Sequence, residues 1–276
     1  PFDNRWVYYN PNIIERGDSR KELMEHLLKG NNMALLSCRQ QVEPGFYHIF
    51  CSEILTERCI VSLKSRELTY VFPLYTYPNT ENKQTNLFLE RTPNISLKFL
   101  KAIKEKLGKT PTPEQIFYYA YAIFYSPTYR TRYAEFLKID FPRLPLTSNE
   151  NLFNALATKG EELVNLHLMK SDILNNLITT YQPMGDNQVT EVTYNSELQR
   201  VYINKQSYFT DIPPHIWEFK IGGYQVLDKW LKDRKNAKRQ LSNDEISHYQ
   251  KIVIALTETL RIMAEIDKTI PSFPIE

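Results

Sequence analysis

Glycine occupies only 8 of the 276 positions, and neither Gly-x-x-x-x-Gly-Lys-Ser/Thr nor Gly-x-Gly-x-x-Gly occurs among them, which removes the usual phosphate and dinucleotide cradles. Cysteine is rarer. Cys38, Cys51 and Cys59 are odd in number, lack Cys-x-x-Cys spacing and fall in stretches of strand character, so they read as small buried hydrophobes. His26, His48, His167, His215 and His248 are scattered and supply no zinc set. With no Gly-x-Ser-x-Gly elbow and no His-Glu-x-x-His, hydrolase readings have no anchor. The longest apolar runs, such as Ile116 to Tyr125, fall short of the roughly 20 residues a membrane span needs. Nothing at the N-terminus resembles a signal peptide, so the expected setting is soluble and cytoplasmic. Neither sign of charge dominates: 34 Lys and Arg stand against 32 Asp and Glu, a formal net of +2. The chain is no polycation, and any surface for a polyanion has to be a local patch.

What the chain does have is aromatic residues, 13% of the total with 18 tyrosines, and a hydrophobic fraction of 42% that can build a core. The patterning predicts an α+β fold. Ser19 with Glu22 reads as a capping box opening a helix that Gly30 stops. Short aromatic and branched runs at Met33–Cys38, Phe46–Phe50, Cys59–Leu63 and Leu68–Phe72 predict a small antiparallel sheet. The segment Tyr75–Thr92 reads as loop. Helices are expected over Ile95–Leu107, from the capping box of Thr112 and Gln115 through Phe124, after Ser126-Pro127 and again after Ser148. Phe141-Pro142-Arg143-Leu144-Pro145 is a stiff extended connector. Val189–Ile203 alternates about a polar turn at Asn195-Ser196 and predicts a hairpin. The last helix has the clearest signal: Ser242 and Glu245 cap it, and Ile246, Tyr249, Val253, Leu256, Leu260 and Met263 form an apolar seam, open to packing on its own body or to docking elsewhere. The expected organisation is one module, 1–276, with a mainly β part (1–90), a helical part (91–185) and a hairpin with C-terminal helices (186–276).

Catalytic chemistry is not evident. Asp211-Ile212-Pro213-Pro214-His215 is a near miss of the Asp-Pro-Pro-Tyr box of adenine-N6 methyltransferases, but Ile212 separates acid from prolines and His215 replaces the aromatic ring that stacks on a flipped base. A proline-stiffened turn fits better. Glu161-Glu162 and Asp244-Glu245 are explained by helix starts. No metal and no cofactor is expected in this chain.

Two regions are candidates for contact with DNA. The run 229–239 holds Lys229, Lys232, Arg234, Lys235, Lys238 and Arg239 against a single acid, and such cations neutralise phosphates and release counterions. A solvated helix end explains the same charges. Just upstream, Gly222-Gly223 lets a backbone approach something closely, with Tyr224 and Gln225 beside it; a tight turn is the plainer reading. In the β part, Arg39-Gln40-Gln41 and Lys64-Ser65-Arg66 lie at strand ends. Arg39, Gln40, Lys64 and Arg66 suit base edges, since Arg reads guanine and Gln reads adenine; ordinary surface polarity accounts for them equally well.

Several stretches carry a resemblance: Pro1-Phe2-Asp3 with Arg5 and Tyr8-Tyr9, Leu35-Leu36-Ser37-Cys38-Arg39-Gln40, Tyr70-Val71-Phe72-Pro73-Leu74-Tyr75, Tyr125 to Arg130 through Phe141-Pro142-Arg143, Trp217 with Ile221-Gly222-Gly223-Tyr224-Gln225-Val226, and His248 to Val253. Together they resemble the C-terminal specificity region of type ISP restriction-modification enzymes, single polypeptides that join nuclease, translocase, adenine methyltransferase and target-recognition parts. The resemblance implies sequence-specific recognition of double-stranded DNA. It also implies an upstream methyltransferase part as partner, with S-adenosylmethionine bound there and not here. The chain starts at Pro1 without Met, as expected of a piece of such a polypeptide. The competing reading is an interdomain docking module. A free-standing enzyme with an unfamiliar site is the third.

Overall fold

A computed structural model describes residues 2–10, 12–14, 20–64, 66–78 and 91–275. The first helix, α1 (Lys21–Leu28), buries Met24 and Leu27. Arg20, in left-handed conformation, stands at its N-cap without a side-chain bond; Ser19 of the expected capping box lies outside the described residues. Strands β1 (Ala34–Cys38), β2 (Ile49–Ser52) and β3 (Thr69–Pro73) form an antiparallel sheet in the order β2-β1-β3. The expected strand over Cys59–Leu63 is replaced by turns, because Val61 and Ser62 spend their polar groups on Glu67, Thr69 and the segment at Gly223 instead of on a ladder. The stretch read as a loop starts and ends in a two-residue pairing, β4 (Tyr75–Thr76) with β5 (Thr92–Pro93); residues 79–90 between them lie outside the described residues.

The helical core is α2 (Leu97–Leu107), α3 (Pro113–Tyr125), α4 (Pro127–Arg132), α5 (Ala134–Leu137) and α6 (Glu150–His167), with a 3-10 turn at Asp172–Asn175. Helix α3 opens with the capping box of Thr112 and Gln115 and is apolar around most of its circumference. That surface needs neighbours on several sides. It has them in α6, in β2 and in the C-terminal helix over Asn243–Thr269. Gly160 sets the α3–α6 spacing: a Cβ there would lie 1.8 Å from the Tyr118 carbonyl oxygen. The buried tyrosines of α3 satisfy their hydroxyls on other elements. Tyr119 donates to Pro145 O at 3.0 Å and Tyr125 to Ile49 O at 2.8 Å, which ties the helix to β2.

The last third holds a four-stranded antiparallel sheet, β6 (Tyr181–Gln182), β7 (Thr193–Asn195), β8 (Arg200–Tyr202) and β9 (Tyr208–Phe209), in the order β6-β9-β8-β7. The expected hairpin is its β7–β8 half. Next come α7 (Pro214–Trp217), the hairpin β10 (Lys220–Ile221) and β11 (Tyr224–Gln225), α8 (Val226–Asn236) and α9 (Asn243–Thr269). The capping box of Ser242 and Glu245 is present. Of the α9 seam, Tyr249, Val253, Leu256 and Met263 are buried within this chain, so the seam is core. Asp267 near its end accepts from Ser126 and from the N–H and hydroxyl of Thr128, anchoring α9 to the start of α4.

Candidate nucleic-acid interface

The pairing of Cys38 with Thr69 brings the end of β1 beside the start of β3, so Arg39 and Gln40 leave the sheet next to the turn that carries Lys64 and Arg66. All four are exposed. The turn is closed by the Glu67 N–H donating to Lys64 O at 3.0 Å. Glu67 itself is fully buried. Its Oε1 accepts from the N–H groups of Val42 and Glu43, at 2.5 and 3.1 Å, and its Oε2 accepts from the Ser62 hydroxyl. One carboxylate thus joins the 39–48 loop to the 57–66 loop. Burial acts to raise the Glu67 carboxyl, but the bonds from Ser62, Val42 and Glu43 together with nearby His48 hold it below its usual range. His48 Nε2 lies 3.6 Å from Oε2 with both side chains fully enclosed. Burial lowers the imidazole despite Glu67, so the contact at neutral pH is between a carboxylate and a neutral ring.

A third segment completes this end of the sheet. Gln41 N–H donates to Lys138 O at 3.2 Å, and Arg39 Nε lies 3.3 Å from Asp140 Oδ1. The N–H of Phe141, then Arg39, hold the Asp140 carboxyl below its usual range. The Phe141 ring meets Tyr70 and Phe72 edge-on, with centroids at 5.0 and 5.4 Å. Strand alternation puts Tyr70 and Phe72 on the solvent side and Val71 in the core. The result is an aromatic ledge flanked by cations. Lys64 pairs with Glu43 at 3.4 Å and Arg143 lies in the field of Asp140, whereas Gln40 and Arg66 have no side-chain partner among the described residues. Tyr70, Phe72 and Phe141 escape a reading by charge, and Arg143 stands alone between prolines; the alternation over Thr69–Pro73 is the signal that could have found the two ring positions on β3.

The other expected residues are dispersed and partly consumed. Gly222, at φ +62°, approaches Val61 so closely that a Cβ would lie 1.7 Å from its carbonyl oxygen. Gly222 and Gly223 donate to Tyr47 O and Val61 O at 2.6 and 2.7 Å. The glycine pair therefore admits the chain's own backbone and no ligand. Tyr224 donates to Cys59 O at 2.9 Å and Gln225 Nε2 to Trp217 O at 2.6 Å, which withdraws both from base contact. In α8, Arg234 is buried: it stacks 3.3 Å over Trp230, reaches Asp3 at 2.9 Å and lies 3.4 Å from Glu245. It is a fold residue. Lys229 pairs with Asp233 at 2.7 Å, Lys232 with Asp228 at 2.6 Å and Arg239 with Glu245 at 2.9 Å. Lys235 and Lys238 remain exposed with no partner among the described residues.

Among the described residues no group of three or more His, Cys, Asp or Glu is placed to hold a metal ion, and no helix is long and apolar enough to cross a membrane. Burial pushes the Cys38 and Cys51 thiols up to about 12. Cys38 donates to Glu67 O.

Fold and site together define a mixed α and β binding module whose exposed polar groups sit on loops at a sheet end. The chain belongs to the Type ISP C-terminal specificity domain family, which matches residues 1–265; this is a non-catalytic unit. No curated protein matches the chain. Among solved structures it is similar to the cryoEM structure of a DrdV–DNA complex, at TM-score 0.73 and 22% identity over 96% of this chain and 27% of that one. It is also similar to the ATP-dependent Type ISP restriction-modification enzyme LlaBIII bound to DNA, at 0.68 and 19% over 90% of this chain and 16% of that one. A third is a nuclease-deletion mutant of the Type ISP enzyme LlaGI in complex with a DNA substrate mimic, at 0.64 and 20% over 90% and 22%. The chain thus spans 16% to 27% of the length of those chains.

Proposed function

We propose that this chain chooses the duplex DNA sequence on which a longer cytoplasmic restriction-modification polypeptide acts. The upstream part of that polypeptide is an adenine-N6 methyltransferase that binds S-adenosylmethionine. Such an enzyme sees one flipped base in its pocket and needs a separate surface for the neighbouring bases. The observation that carries the reading is the convergence of Arg39 and Gln40 with Lys64 and Arg66 through the single carboxylate of Glu67. Long polar side chains on loops held by strand ends reach into a major groove while the sheet stays outside it. Arg66 and Gln40, free of partners among the described residues, are the leading base readers. Lys64 and Arg143 position the backbone. From the end of α8 and the turn after it, Lys235 and Lys238 contribute charge.

The test is retention of a randomised duplex pool by the purified chain at two salt concentrations, followed by sequencing. A defined enriched motif is expected. Arg66→Ala and Gln40→Ala should each relax one motif position, by about 1–3 kcal/mol of discrimination. Replacing Lys235 and Lys238 together by Ala should weaken all duplexes alike and reduce the salt slope by about 2. Loss of preference from the lysine pair, with none from Arg66 or Gln40, would reverse these roles.

One observation favours a docking role alongside: Trp6, Val7 and Tyr8 form an exposed apolar stretch, with Trp6 fully exposed, and such a stretch suits contact with another domain of the polypeptide. Replacing Trp6 and Tyr8 by Ser should leave DNA selection by the isolated chain intact. Loss of selection would place the stretch at the DNA.

A further inference from the structure

The four-stranded sheet presents a second face that the sequence-reading loops do not use. Its inner row, Tyr181, Phe209, Val201 and Tyr194, follows the strand register across all four strands and packs toward the core. The outer row, one residue on, is Gln182, Tyr208, Tyr202 and Thr193. Tyr202 and Tyr208 have ring centroids 5.1 Å apart, and the Arg200 guanidinium lies 4.5 Å over the Tyr208 ring. The two tyrosines of the inner row spend their hydroxyls inside the fold, Tyr181 on Asn187 at 2.9 Å and Tyr194 on Ile212 O at 2.8 Å. Those of Tyr202 and Tyr208 have no hydrogen-bond partner among the described residues. The outer row itself contains no carboxylate; the nearest acids in sequence are Glu191, two residues before Thr193, and Asp211, three residues after Tyr208.

The cationic end of α8 is fastened to the same sheet. Val189 N–H donates to Arg239 O at 3.1 Å and Gln188 bridges to Gln240, while Thr190 and Glu191 N–H both donate to Ile203 O just past β8. Lys235 and Lys238, the two cations of that run with no partner among the described residues, are therefore tethered to the sheet that carries Arg200. Tyrosine hydroxyls, amides and a guanidinium, without an acid among them, form a donor-rich face that suits phosphate oxygens, and donors of this kind hold a duplex without reading it.

We propose that the outer face of the four-stranded sheet, centred on Arg200, Tyr202 and Tyr208, grips the sugar-phosphate backbone of duplex DNA flanking the sequence read at the Arg39–Arg66 end. This rests on the DNA-recognition reading above and adds to it a second, sequence-neutral surface. Half-buried basic-aromatic faces of this composition also suit protein partners; the lack of an acid in the row itself and the tethered lysines favour the polyanion.

The experiment measures binding of the whole 276-residue chain to duplexes that keep the enriched motif and are trimmed step by step on either side. The parent is compared with the variant Arg200→Gln, Tyr202→Phe, Tyr208→Phe. The phenylalanines keep both rings in place, and matched thermal transitions verify the fold. For the parent, affinity should fall roughly tenfold when one flank is removed. The variant should bind the long duplex about tenfold more weakly and lose its dependence on that flank, with a salt slope lower by about 1 and the same enriched motif. Equal affinity and equal flank dependence of variant and parent would overturn the proposal and leave sequence reading standing. A change of the enriched motif would also overturn it, since a gripping face reads nothing. A parent chain that retains no duplex at low salt would refute the DNA-recognition reading itself.

Discussion

Glu67 is where a single change should separate folding from reading. Alanine there removes the acceptor of two backbone N–H groups and of the Ser62 hydroxyl in a fully enclosed site. A buried donor left without a partner costs about 1–3 kcal/mol. Ser62 can turn its hydroxyl toward another acceptor, so the two amides dominate and the expected loss is about 2–6 kcal/mol. Glutamine keeps an oxygen for Val42 and Glu43 and offers an N–H to Ser62, whose oxygen can accept; it forfeits only the charge, an expected loss of about 1–2 kcal/mol. Because the same carboxylate holds the Arg39–Gln40 loop to the Lys64–Arg66 loop, Glu67→Gln should stay folded and select a blurred motif, while its salt-dependent affinity for arbitrary duplex is unchanged. Urea denaturation gives the first quantity and selection from a randomised pool the second. Glu67→Ala within about 1 kcal/mol of the parent would refute the hydrogen-bond argument. A sharp, unaltered motif from a destabilised Glu67→Gln would refute the link between this carboxylate and the reading loops.

Gly222→Ala places a Cβ 1.7 Å from Val61 O at a left-handed φ, so the hairpin has to move off the 57–62 loop; a loss of about 2 kcal/mol or more in denaturant is expected. Arg234→Met leaves Asp3 and Glu245 without their buried partner and should cost about 3 kcal/mol while the folded protein binds DNA as the parent does; weaker DNA binding at unchanged stability would return Arg234 to the interface. His167 supplies a pH test. Its Nε2 faces the Thr259 hydroxyl at 2.9 Å, which itself donates to Ala255 O, so Nε2 carries the proton and Nδ1 accepts from Tyr121 at 2.6 Å. Burial, and then Arg130, lower its pKa from 6.5 to about 3. Between those values the unfolded chain binds a proton that the folded chain does not. The contribution is therefore complete above pH 6.5 and declines as pH falls toward 3, by up to about 1.4 kcal/mol per unit. His167→Gln should flatten the stability profile between pH 6.5 and 4.5 relative to the parent; parallel profiles would show that the ring is protonated in the folded state.

Local rules made the helices legible. The capping boxes at Thr112 and Ser242 form as the residue spacing demands, and the α9 seam is periodic because it is buried. Short-range alternation was a poorer guide in the β regions. Cys59–Leu63 has strand composition, yet its polar groups are taken by Glu67 and Thr69 just beyond it and by the remote hairpin at Gly223, side-chain and loop partners that alternation does not register. The basic run misled for the same reason. Asp228 lies one residue before the window and Glu245 six after it, and Asp3 is remote in sequence, so a count of charges over 229–239 overstates what is free. Arg39 and Arg66 were legible as strand-end cations, but not the carboxylate that joins their loops. Glu67 looks like any surface acid between Arg66 and Leu68 until Val42, Glu43 and Ser62 are folded around it.

Discrimination between base pairs and affinity for DNA make different mechanical demands, and the reading proposed above assigns them to differently built regions. A bidentate contact is worth about 1–3 kcal/mol only if the side chain starts from a fixed place, since a mobile loop re-forms the same bonds with the wrong base. The Arg39–Arg66 end meets that demand through a buried carboxylate with three donors, a pairing to Lys138 and a packed aromatic ledge. Contacts to phosphate repeat along every duplex and tolerate displacement. The four-stranded sheet, with strands of two and three residues and tyrosine hydroxyls that have no partner among the described residues, fits that looser task. Stiffening it should therefore raise affinity without sharpening selection, whereas loosening Glu67 should blur selection without lowering affinity for arbitrary DNA. That opposite response is what two surfaces with separate duties require.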